Sequence, residues 1–115
     1  MKGTLLTEIE VKKMVPKTWN VQQYLRSIGE RVENLEKNIE EIEQYADSDC
    51  CEDLFHKFRQ LSYEMSKIGA VEALRTCVAL QLVIRLHLRS RVQYLLAELR
   101  LNLRSFKENL IIIGA

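Results

Sequence analysis

Apolar residues recur along this chain in long runs of helical period. Val21, Leu25, Ile28, Val32, Leu35, Ile39, Ile42 and Ala46 are spaced 4-3-4-3-4-3-4, which puts all of them on one stripe of a single long helix. Trp19 and Tyr24 widen the stripe near its start, and Thr18 stands where an N-cap is wanted. Asp47-Ser48-Asp49 then offers loop chemistry and a cap for the next helix. That helix is predicted from about Cys50 to Ile68, on Leu54, Phe58, Leu61, Met65 and Ile68 with Phe55 alongside. Gly69 reads as its stop or a kink.

The next stretch is mixed. Val71, Leu74 and Val78 continue a helical stripe with Cys77 beside it, whereas Leu80, Leu82, Ile84, Leu86 and Leu88 alternate as in a strand. A lone strand would have no partner, so this stretch is read as a helix with apolar residues on two faces. From Val92 the helical period is clean again through Leu96, Leu99, Leu103, Phe106 and Leu110. No glycine or proline marks a turn at His87–Arg91. Compactness argues for one, because an unbroken helix over 70–113 would be about 65 Å long. Ahead of all this, Leu5, Leu6, Ile9 and Met14 lie at near-helical spacing, Thr7 and Glu10 could form a capping box, and Pro16 ends the piece.

These patterns predict an all-α fold: an antiparallel four-helix bundle with a short N-terminal arm or helix, as one domain over 1–115 (arm 1–17, bundle 18–113). Leu35, Phe58, Leu61, Leu74, Leu99 and Phe106 are expected to share its core. Composition agrees, with 47% hydrophobic and 29% charged residues, one proline and four glycines. No window approaches the apolar length of a membrane span, and the first residues lack a secretory pattern. Three cysteines, two of them adjacent, make a poor disulfide framework. A reducing, cytoplasmic setting is therefore expected, with Cys77 buried as a small apolar residue and Cys50 or Cys51 reactive at a helix start.

Net charge is only +1, yet it is unevenly placed. Residues 30–53 carry ten acids against two bases, and residues 54–115 carry ten bases against four acids. This could steer a partner, or simply set an acidic helix beside basic ones. Nucleic acid is disfavoured as a partner: Arg85, Arg89, Arg91, Arg100 and Arg104 have few aromatics among them. Of the two histidines, His56 and His87, neither belongs to a nucleophile–base order, and no glycine loop could cradle phosphate. Cys50, Cys51 and His56 lack the second ligand pair of a structural zinc site, so no metal and no cofactor are expected.

The stretch that carries most information runs Leu54-Phe55-His56-Lys57-Phe58-Arg59-Gln60-Leu61-Ser62-Tyr63-Glu64-Met65-Ser66-Lys67-Ile68-Gly69-Ala70, followed by Leu74, Cys77, Leu80 and Gln81. It resembles the histidine-phosphotransfer (HPt) domain family of phosphorelays. That family has a helix with His-x-Leu-Lys-Gly, then small residues, then Ile/Leu-Gly-Ala opening the next helix. Ile68-Gly69-Ala70 matches, Cys77, Leu80 and Gln81 fall at the family's offsets, and the likeness in helix order covers roughly 19–113.

The family places its phosphoacceptor histidine ten residues before the glycine, and here that position is Arg59. His56-Lys57-Phe58-Arg59 looks like His-x-Leu-Lys but lies thirteen residues before Gly69. Two registers follow. Without a gap, Arg59 replaces the phosphoacceptor and Tyr63 takes the family's glycine position. With one extra turn, His56 is the acceptor, Arg59 at i+3 could neutralise the phosphoryl group, and Gln60 stands at the glycine position.

The resemblance implies a signalling module that docks a receiver domain or a histidine kinase. Either it passes phosphate through His56, or it acts as a non-phosphorylated regulator. Arg59, Lys57, Gln60, Tyr63 and Lys67 are the expected partner-contacting residues, and a monomer is favoured over a homodimer. The competing expectation is a structural or chaperone-like bundle that oligomerises through the 21–46 stripe. Catalysis on a small molecule has the least support, since no acid–base pair converges in the sequence.

Overall fold

The computed structural model describes residues 20–114. These residues are 88% helical, in four helices and one short 3₁₀ turn, with no strand among them. The helices are α1 (Val21–Tyr45), α2 (Cys51–Ile68), α3 (Val71–Arg85) and α4 (Val92–Gly114), with the 3₁₀ turn Arg89–Arg91 ahead of α4. The expectations resting on Leu5, Leu6, Ile9, Met14, the Thr7–Glu10 box, Pro16 and Trp19 lie outside the described residues. No described helix is long and apolar enough to cross a membrane.

α1 is capped at Asn20, two residues later than the Thr18 cap expected from the sequence, and Thr18 too lies outside the described residues. The Asn20 side chain accepts from the Gln23 N–H at 2.7 Å, and the Asn20 N–H donates to Gln23 Oε1 at 3.3 Å. This reciprocal capping box needs a polar side chain three residues on. Thr18 has Val21 there. Leu25, Ile28, Val32, Leu35, Ile39 and Ile42 are buried as the stripe predicts, and so is Ala46.

The cap of α2 also departs from expectation. Cys50 is its N-cap, without a side-chain hydrogen bond, and Asp47-Ser48-Asp49 caps nothing. Ser48 instead donates back to the Tyr45 carbonyl at 3.1 Å, and Asp49 pairs with Lys57 at 2.7 Å. The loop is held from outside by Arg89, whose guanidinium donates to the carbonyls of Ala46 and Asp49. Gly69 is the stop and not a kink. At φ 75° it is left-handed, with Gly69 N–H donating to Ser66 O and Ala70 N–H to Met65 O, the Schellman arrangement that satisfies the last carbonyls of a helix.

α3 has the helical state expected but not the phase. Its buried face is Ala73, Thr76, Cys77, Leu80, Val83 and Ile84. Val71 and Val78 are exposed, and Leu74 is half-buried at the core's edge. The strand-like alternation resolves into Leu80 and Ile84 inside, and Leu82, Leu86 and Leu88 outside. The turn expected near His87–Arg91 is present. His87 adopts φ 57°, with His87 N–H on Ile84 O and Leu88 N–H on Val83 O, a second Schellman motif built without glycine.

All four helices contribute to one hydrophobic core, which includes Leu35, Phe58, Leu61, Leu99 and Phe106. α2 packs most extensively on α3, and α4 packs on both α1 and α3, whereas α1 and α2 touch little. Between α1 and α2 this leaves an open polar groove of about 520 Å³. Polar pairs mark the tighter seams: Thr76 donates to Asn102 Oδ1 at 2.6 Å across α3–α4, and Gln81 donates to Ser62 Oγ at 2.5 Å across α2–α3.

Candidate functional site

α2 turns Leu54, Phe58, Leu61, Met65 and Ile68 into the core. At 100° per residue, the side opposite that stripe holds Tyr63, His56, Lys67 and Arg59 within an arc of about 80°. All four are exposed, Tyr63 by 63% of its surface. Lys67 lies over the Tyr63 ring at 4.8 Å from its centroid and reaches Glu64 at 3.4 Å. His56 meets the edge of Phe55 at 6.1 Å between centroids. Arg59 pairs with no carboxylate among the described residues.

Lys57 and Gln60 line the groove between α1 and α2. Lys57 lies about 100° round the helix from His56, and Gln60, at about 40°, is on the border of the outer face. Lys57 is held there by Asp49, and that hydrogen bond and charge raise its pKa above the ordinary lysine value. One residue along a helix is about 100° of rotation, enough to move a side chain from one face to the next. The candidate surface is therefore Arg59, Tyr63, Lys67 and His56.

The edge of α2 facing α3 carries chemistry that the sequence does not announce. Ser62 donates to the Phe58 carbonyl at 3.1 Å and accepts from Gln81. Cys77 is buried beneath this edge. Burial pushes its thiol up to about 12, a hydrogen bond with Ser62 acting weakly in the opposite direction. Arg85 stacks its guanidinium over Phe55 at 4.4 Å, a cation–π contact between residues thirty apart. The arginines considered for nucleic acid are dispersed: Arg85 on Phe55, Arg89 in the α1–α2 loop, and Arg100 on Glu43 at 3.2 Å. The three cysteines are free, with Cys50 exposed, Cys51 half-buried and Cys77 buried. No cluster of three His, Cys, Asp or Glu side chains that could hold a metal occurs among the described residues.

The chain matches no protein-family model, no curated protein and no solved structure. Functional inference therefore rests on these residues and their geometry.

Proposed function

We propose that the chain is an antiparallel four-helix bundle acting as an HPt-like signalling module. It docks a receiver domain or histidine kinase through the outer face of α2 and serves as a non-phosphorylated binding regulator. The observation that carries this is Arg59. It occupies the phosphoacceptor position ten residues before Gly69, on a helix that runs unbroken from Cys51 to Ile68, exposed and without a carboxylate partner among the described residues. The shifted register would need an extra turn inserted into that helix. Receiver phosphorylation sites are clusters of carboxylates, which a guanidinium on an exposed face complements. The competing reading, oligomerisation through the 21–46 stripe, needs residues that are already buried in the chain's own core.

The test is binding of purified receiver domains to the full chain by calorimetry, followed by incubation with the phosphorylated receivers. Arg59→Glu should weaken docking about tenfold or more while far-UV circular dichroism stays unchanged. His56→Gln should leave docking intact, and no acid-labile phosphoryl group should appear on the wild type. Phosphohistidine at His56 would overturn the degenerate register. Failure of every receiver and kinase to bind would overturn the signalling proposal itself.

A further inference from the structure

α3 is apolar on two faces. Its inner face buries Ala73, Thr76, Cys77, Leu80, Val83 and Ile84. Its outer face carries Val71, Val78, Leu82 and Leu86, exposed by 36, 53, 57 and 57%. Val78, Leu82 and Leu86 follow one another at i, i+4 within about 80° of arc and form one continuous ridge, whereas Val71 is set apart from it by Arg75. α4 also exposes Tyr94, Leu101, Ile111 and Ile112, but apart from the adjacent Ile111–Ile112 pair these stand seven or more positions from one another and make no i, i+4 row. Single exposed hydrophobic residues need no explanation, whereas a contiguous row does.

The charges around the ridge have one free sign. Arg85 lies within the row and Arg59 on the adjoining edge of α2, and neither pairs with a carboxylate among the described residues. The two acids nearby in sequence are already engaged, Glu72 by Arg75 and Glu64 by Lys67, both at 3.4 Å. Between α1 and α4, Arg100 pairs with Glu43 and Lys107 with Glu36, while Arg91 and Arg104 pair with no carboxylate among the described residues. We propose that the outer ridge of α3 docks an acidic amphipathic helix of a partner protein, its apolar stripe on Val78, Leu82 and Leu86 and its Asp or Glu flank on Arg85 and Arg59. A straight row of side chains on a helix is the natural counterpart of a second helix.

A second copy of the chain is a poor occupant on two counts. A two-fold contact would set the ridge and its arginines against themselves. The chain's own acidic helix, α1, buries its apolar stripe and so cannot offer acids and aliphatics together. This proposal does not need His56 or phosphate transfer.

The experiment uses the full chain with a designed, fluorophore-labelled helical peptide bearing leucines at helical period and glutamate flanks. A sister peptide has lysine flanks. The glutamate peptide should bind, with affinity falling as salt rises, and its amide-shift footprint on the isotope-labelled chain should centre on residues 71–86. Leu82→Glu and, separately, Val78→Glu should weaken binding about tenfold or more, with unchanged circular dichroism, and His56→Gln should have no effect. Equal binding of the lysine peptide, unchanged affinity in both ridge variants, or a footprint elsewhere would overturn the proposal. It would equally be overturned by a concentration-dependent dimer that Leu82→Glu dissolves, or by preference for phosphatidylglycerol vesicles over the peptide.

Discussion

Arg89 ties together both connections at one end of the molecule. It sits half-buried in the 3₁₀ turn between α3 and α4, and its guanidinium donates to the carbonyls of Ala46 and Asp49 in the α1–α2 loop. Its Nη1 also lies 3.4 Å from Cys51 Sγ. Hydrogen bonds from a charged donor contribute roughly 1.5–3 kcal/mol each. Ala46 is buried and Asp49 half-buried, so at least the low end of that range applies. Two such bonds give about 3 kcal/mol, and hence a melting temperature lower by roughly 10–20 °C for a domain of this size.

Arg89→Met is the cleaner variant, since it keeps an aliphatic stem and removes only the fork. Arg89→Lys should recover at most about half of the loss: one nitrogen, Nη2, makes both bonds, but the lysine ammonium sits on a shorter stem and is more strongly hydrated. The assay is thermal and urea unfolding followed by circular dichroism, with the rate of Cys51 modification by a thiol reagent as a local readout. If Arg89→Met melted within about 3 °C of the wild type, the Arg89 hydrogen bonds would add nothing to an already stable loop, which would refute their stabilising role.

The two left-handed helix stops should respond oppositely to substitution. His87→Gly should stabilise by about 1 kcal/mol and Gly69→Ala should destabilise by about 1–2 kcal/mol, both read from urea midpoints, because only glycine adopts positive φ without a Cβ penalty. Cys77 should make stability fall with alkali. Its folded pKa, about 12, lies above that of an unfolded thiol, so the unfolded state releases its proton first. That contribution is complete below about pH 8.5 and is lost at up to about 1.4 kcal/mol per pH unit above it. Cys77→Ala should flatten this part of the profile, and equal slopes for both proteins would refute it. Thiol titration of the native protein should find Cys50 at once, Cys51 more slowly and Cys77 only after unfolding.

Three of the four helices are legible in the pattern because large aliphatics occupy their inner faces at strict 4-3 spacing. α3 is legible as a helix but not in phase. Hydrophobicity ranks Val71 and Val78 above Ala73 and Thr76, whereas packing buries Ala73 and Thr76, beside Leu80, Val83 and Ile84, and leaves Val71 and Val78 outside. Gly69 declares its turn in the sequence. His87 does not, because nothing about a histidine signals positive φ. The exposed face of α2 follows from helical geometry alone, and Arg59, Tyr63, Lys67 and His56 emerge together on it. Lys57 does not, because it lies about 100° round the helix from His56; its Asp49 partner on the α1 side is the part that the sequence does not show. Arg85 and Arg89 were beyond reach because their partners, Phe55 and the loop carbonyls, lie thirty or more residues away.

The exposed apolar row of α3 and Arg59 of α2, unpaired with any carboxylate among the described residues, bear on one another. Local rules of patterning tend to be broken where a surface is kept for binding, with the cost met elsewhere in the fold. Here α3 makes the most extensive helix–helix contact in the molecule with α2, and the Gln81–Ser62 and Arg85–Phe55 pairings lie across it. These contacts fix α2 and α3 as one two-helix slab. Its outer surface then presents cations from α2 beside aliphatics from α3, at a spacing set by packing and not by flexible loops. Neither helix alone would make a selective surface: the arginine face would take any acid, and the ridge any apolar patch. Held side by side, they require both chemistries at once from a partner, and specificity of that kind follows from how closely the two helices pack.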